Sequence, residues 1–185
     1  QLMIQDLLNL GADKVSLNTA ALHNPLFIKE AADHFGSQCI VVAVDIKRVT
    51  SAAPSPVFSD ATVYEPLIST QQTLCEVYSH GGRKNLGLDA LKWIQICENL
   101  GAGEILLTSM DRDGTKNGYD LEMLTKVKDL ISIPVIASGG AGSISHIQDA
   151  LKVSDAALLA SLLHYATLTI QEIKRELITN SIPIR

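Results

Sequence analysis

The sequence predicts an α/β fold built around a parallel sheet, and three observations predict it. Strand-like and helix-like segments alternate along nearly the whole chain. The strand-like runs are almost unbroken in β-branched and other apolar residues, as strands covered on both faces require. The polar, glycine-rich and acidic residues fall just after those runs, where parallel α/β folds place their sites. Composition agrees: of 185 residues, 46% are hydrophobic and 19% charged, which suits one globular core. A net charge of −5 argues against non-specific nucleic-acid binding, which needs a basic face. No apolar run approaches the roughly 20 residues that span a bilayer. No leader pattern is read, and the three cysteines (Cys39, Cys75 and Cys97) form no CxxC pair. Reduced thiols and a cytoplasmic location are the expectation.

Residues 1–10 read as the second half of an amphipathic helix ending at Gly11, so further chain upstream is expected. Residues 14–18 form a short strand. Asn24 and Pro25 suit an N-cap and a first helical position. The helix they open has Leu26, Phe27, Ala31 and Phe35 as its apolar stripe and stops at Gly36. Residues 39–44 are a buried strand. Residues 49–73 break the rhythm, with Pro54, Pro56 and Pro66 and no helical stripe, and read as a long loop or excursion. Residues 76–78 suit a hairpin strand. Gly81, Gly82 and Arg83 then lead to a helix at about 89–100, closed by Gly101. Residues 104–109 are a buried strand and 111–118 a polar loop. A helix over 120–130, a strand over 133–137 and a loop over 138–142 follow. Ser143 caps a helix reaching about 153. Residues 156–160 are a strand, and 169–177 carry the last helix. Five strands alternating with helices imply parallel pairing through right-handed crossovers. Residues 11–19 and 154–161 echo one another: an Asp, an apolar strand, then a small or hydroxyl residue. They lie four βα units apart, as halves of a duplicated eight-unit barrel would.

Ser138, Gly139, Gly140 and Gly142 follow a strand and precede a helix. Glycines let backbone N–H groups approach an anion, and the helix start adds positive potential. Ala160 and Ser161 end the next strand, so a phosphate between the last two strands is expected, against a plain tight turn. Asp45 finishes an apolar strand. Position alone leaves it open between acid–base work in a barrel mouth and pairing with Lys47 or Arg48. Asp111, Asp113 and Asp120 surround a turn at Asp113–Gly114, which could present a backbone N–H to a ligand. They lack the alternating donors of a calcium loop, so no metal is expected. Thr108 and Ser109, and Asn18 and Thr19, end strands and can hydrogen-bond a substrate. His23, His34, His80, His146 and His164 have no ligand spacing and read as structural or surface residues.

Four segments together resemble one family: DKVSLNTAA at 13–21, FGSQCIVVAVDIKR at 35–48, GAGEILLTSMDRDGTKNGYD at 101–120 and IPVIASGGAG at 133–142. They are similar to the cyclase subunit of imidazole glycerol phosphate synthase, the HisF family. The third segment is the most specific, and the resemblance covers nearly everything outside about 50–73. It implies a (β/α)8 TIM barrel of which strands four to eight are present. The chain would then be the C-terminal part of a single barrel, with an insertion at about 50–73. It also implies the reaction: ammonia from a partner glutaminase meets phosphoribulosyl-formimino aminoimidazole carboxamide ribonucleotide. The products are imidazole glycerol phosphate and aminoimidazole carboxamide ribonucleotide, in histidine biosynthesis. The resemblance makes Asp45 the catalytic acid–base and puts Asn18 and Thr19 on substrate and phosphate. Thr108, Asp113 and Gly114 become ligand contacts. Ser138, Gly139, Gly140, Ala160 and Ser161 form a phosphate site. Asp13, Lys14 and Glu104 fall on the opposite face, where the family receives its glutaminase in a heterodimer and gates ammonia. No cofactor is implied.

Two departures matter. The family's second catalytic Asp, on strand one, and a Gly-Gly loop after strand three have no counterpart in these residues. Residues 50–73 exceed the family's usual segment and could be a lid or an outward bulge. Rival readings are the phosphate-binding isomerase of the same pathway, a HisF-like amidotransferase partner in surface-sugar modification, and a non-catalytic half-barrel. The isomerase lacks the run 111–120. The surface-sugar partner shares Gly81–Arg83 but is disfavoured by Asn18, Thr19, Asp45 and the C-terminal Ile184–Arg185. Since acid and base duties need two carboxylates, the isolated 185-residue chain is expected to show no turnover with free ammonia. Measurable product formation by the purified fragment would contradict this.

Overall fold

The computed structural model describes residues 2–49 and 67–184. Five strands run parallel in chain order: β1 (Val15–Leu17), β2 (Ile40–Arg48), β5 (Glu104–Ser109), β6 (Val135–Ser138) and β7 (Ala156–Ala157). An antiparallel hairpin, β3 (Cys75–Ser79) and β4 (Lys84–Asp89), pairs with the second half of β2 on the edge that β1 uses in the first half. The described sheet is open, with β4 and β7 at the ends of its path.

Alternation along the strands separates two faces. Ile40, Val42, Val44 and Ile46 of β2 join Ile105, Leu107, Val135 and Ala137 in one buried cluster. Helices cover that face. α3 (Leu26–Phe35) contributes Ile28 and Ala31. α4 (Ala90–Asn99) contributes Trp93, Ile94 and Cys97, and α5 (Leu121–Leu130) contributes Met123, Leu124 and Val127. A smaller apolar cluster lies between α6 (Ile144–Leu151) and α8 (Ile170–Thr179), around Ile147, Ile173 and Leu177. Helix starts follow their caps. Asp89 accepts from the N–H groups of Leu91 and Lys92, Asp120 from Met123 and Ser143 from His146. Thr169 and Glu172 form a reciprocal capping box. None of the described helices is long and apolar enough to cross a membrane.

The structure corrects several boundaries. β2 does not end at residue 44 but continues to Arg48, because β3 offers it a partner in the register Asp45 to Tyr78 and Arg48 to Cys75. The count of five strands misses β4, whose Gly87 interrupts the apolar pattern. Gly81 and Gly82 do not lead into a helix directly; with His80 they take positive φ in the hairpin turn. Pro25, not Asn24, occupies the cap position of α3. Two short helices that the sequence reading did not assign begin directly after strand-end residues: α2 (Thr19–His23) and α7 (Ser161–His164). The residues before them share a backbone, φ −128° and ψ −94° at Asn18 against φ −123° and ψ −79° at Ala160. The sequence echo is thus also an echo of local geometry. β7 stops at Ala157 rather than 160, since the chain has turned out of the extended region at Ala160.

Of the long segment at 49–73, residues 50–66 lie outside the described residues. The remainder is tied to the hairpin: Ser69 N–H donates to Gly87 O, and Thr73 donates to Asp89 at 2.7 Å.

The loops after β5 and β6 clasp each other. Gly118 N–H donates to Gly140 O at 2.8 Å. A Cβ on Gly140 would stand 2.2 Å from Gly118 O, and one on Gly139 2.6 Å from Ser109 O. Gly139 and Gly140 also have φ of 91° and 104°, so both space and conformation demand glycine. Buried Tyr119 reaches past β6 and donates to Leu158 O at 2.9 Å, tying down the end of β7. Gly140→Ala is therefore expected to destabilise the protein by on the order of 3 kcal/mol, read from the chemical denaturation midpoint.

Candidate active site at the strand C-termini

Parallel register builds the site. Asp45 pairs with Thr108, and Thr108 with Ser138, so the three lie in one row across β2, β5 and β6. They share the face of Ala43, Leu106 and Ile136, two residues earlier. Asn18, following β1, completes the row: its Nδ2 donates to Asp45 Oδ2 at 3.1 Å. The Asn18 side-chain oxygen, Oδ1, is buried and has no hydrogen-bond partner among the described residues, leaving an unused acceptor next to Asp45. Thr19 opens α2 immediately beside it.

Asp45 is 9% exposed. Burial pushes its carboxyl above the usual range; the Asn18 bond opposes this, and the nearby negative Asp113 adds to it. The alternative pairing with Lys47 or Arg48 is not what the structure shows. Lys47 Nζ lies 4.9 Å over the Tyr78 ring. Arg48 binds Asp120 at 2.8 Å and Glu122 at 2.9 Å, and its backbone N–H donates to Asp111. Asp111 and Asp120 are thereby both engaged by Arg48. No group of three or more His, Cys, Asp or Glu among the described residues could hold a metal.

Beside this row lies a small cleft. It brings together Asp113, Gly114, Ser138, Gly139, Gly140, Ala160 and Ser161, all singled out in the sequence. The Asp113 N–H is not free for a ligand, since it donates to Ser109 O at 2.9 Å. The N–H groups of Gly114, Gly139 and Gly140, by contrast, donate to no described residue. Unpaired amides lining a concavity, at the base of α6, are the kind of donors that can receive an anion. Lys116 also lines the cleft. The sequence reading passed over it; the signal was its place in the same polar run. At the other end of the sheet, Lys14 and Glu104 form an ion pair across the start of β2, with Asp13 exposed beside them. These three do not join the cleft or the Asp45 row.

A parallel sheet with helices on one face and its polar residues gathered at the strand C-termini fits a (β/α)8-barrel type of protein. The chain belongs to the family described as Histidine biosynthesis protein, whose model matches residues 2–169. It is 52% identical over 177 residues to the Imidazole glycerol phosphate synthase subunit HisF of Lactococcus lactis subsp. cremoris (strain MG1363), covering 95% of this chain and 61% of that protein. It is also 52% identical over 184 residues to the protein of the same name from Prochlorococcus marinus (strain NATL1A), covering 98% of this chain and 64% of that one. The chain thus spans a little over three-fifths of the length of the curated relatives it matches.

The raised carboxyl has a thermodynamic signature. The folded state holds the Asp45 proton more tightly than the unfolded chain does. That contribution is full in acid, below the unfolded value, and is lost as pH rises through the raised folded value. Asp45→Asn, which can keep the Asn18 contact, is expected to raise the melting temperature at pH 7. The gain should vanish toward pH 3. A melting temperature lowered at neutral pH would contradict it.

Proposed function

We propose that the protein is the cyclase subunit of imidazole glycerol phosphate synthase. It would use ammonia from a glutaminase to convert phosphoribulosyl-formimino aminoimidazole carboxamide ribonucleotide into imidazole glycerol phosphate and aminoimidazole carboxamide ribonucleotide. One observation carries the reading: a buried Asp45 held by Asn18 beside an amide-lined cleft, in a chain 52% identical to proteins named HisF.

In this reading the cleft of Ser138, Gly139, Gly140, Ala160 and Ser161 holds one substrate phosphate. Asn18, Thr19, Thr108, Asp113 and Gly114 orient the rest. Asp45 moves protons at the reacting atoms, and its raised affinity for a proton brings it closer to the working pH of a general acid–base. The complementary carboxylate comes from outside residues 1–185. The chain is the C-terminal part of a single barrel. The glutaminase docks at the opposite end, where Asp13 and the Lys14–Glu104 pair sit.

In the intact protein, Asp45→Asn is expected to lower kcat by about 10²–10⁴-fold, measured with free ammonia. The wild-type gene should rescue a histidine auxotroph lacking the cyclase, and the Asp45→Asn gene should not. Failure of the wild-type gene would turn the reading toward the surface-sugar amidotransferase partner.

A further inference from the structure

The cleft carries an electrostatic problem that its amides do not solve. Asp113 lies on its wall, and a phosphate monoester brought against that carboxylate meets like charge. Lys116 is the cation among the described residues that line the same cleft. It makes no ion pair or hydrogen bond through its side chain to any described residue. Its contact is instead with an aromatic ring: Nζ lies 5.7 Å from the centroid of Tyr165, just after α7.

Lys116 is also fixed in place from behind. Its φ is 59°, in a turn where Thr115 Oγ1 donates to Arg112 O and accepts from Asn117 N–H. A Cβ on Gly142 would fall 2.2 Å from Lys116 O, so the loop after β6 is pressed against this backbone. Tyr165 is 76% exposed and contributes little to the core. A large ring kept in water over a lysine, at the rim of an anion cleft, orients the ammonium without neutralising it.

We propose that Lys116 is the counter-cation of this cleft and that Tyr165 is its positioning platform. Together they make the site take a phosphate monoester dianion in spite of Asp113. This rests on the reading of the cleft as a phosphate site. Lys116 touches the ligand; Tyr165 acts through Lys116.

The test is a titration of inorganic phosphate into the intact, 15N-labelled protein, following the backbone amides of Gly139 and Gly140. These amides report on this cleft alone. In wild type they should shift and saturate. In Lys116→Met, which keeps the Cβ and the backbone strain, the midpoint should rise about tenfold, the scale of a lost charge-assisted bond. Lys116→Arg should recover most of it. Tyr165→Leu should weaken binding severalfold, while Tyr165→Phe, which keeps the ring, should bind like wild type. An unchanged midpoint in Lys116→Met overturns this proposal and leaves the phosphate reading standing. Glycine amides that do not respond in wild type would overturn both.

Discussion

Everything at the site depends on the parallel register of β2 against β5. It sets Asp45 opposite Thr108, and β6 then sets Thr108 opposite Ser138. A slip of β2 by one residue would turn Asp45 into the helix-covered core and bring Val44 or Ile46 to the site in its place. The buried apolar set holds the register: Val42, Val44 and Ile46 fit only against the helices, and so their neighbours must face the other way. Packing on one face thereby fixes chemistry on the other.

The loops depend on a second constraint, which is steric. The glycines after β6 were chosen in the sequence for approach to an anion. The structure gives them a prior duty, since Gly140 lies against Gly118 and Gly142 against Lys116. The two roles are compatible. The Gly140 carbonyl is engaged by the opposing loop, while the amides of Gly139 and Gly140, which line the cleft, donate to no described residue. Arg48 and Tyr119 extend this bracing, one to the start of α5 and the other to the end of β7.

Much of this was legible in the sequence because it rests on short-range rules. The cap at Ser143 and the helix starts near Asp120 and Thr169 were readable from local chemistry, and the buried strands from their apolar runs. Asp45 was legible as a candidate but not as a decided one. Its freedom from Lys47 and Arg48 depends on where Tyr78 and Asp120 come in space, 33 and 75 positions later in the chain. The hairpin strand β4 was missed because its pattern has meaning only beside β3. Lys116 was missed because a lysine in a polar turn is indistinguishable from a solvated one until the opposing loop is in place.

The face that carries the site is also layered along the strands. Glu104 and Lys14 stand at one end, Asp45 and its row at the other, and Ala43, Leu106 and Ile136 lie between them. Among the described residues of these strands, that middle layer contains no group that can take up or pass on a proton. It acts as an insulator between two terminals. Along these strands a change in the distant ion pair reaches Asp45 only as a weak, long-range field, while its burial, Asn18 and Asp113 act on it directly.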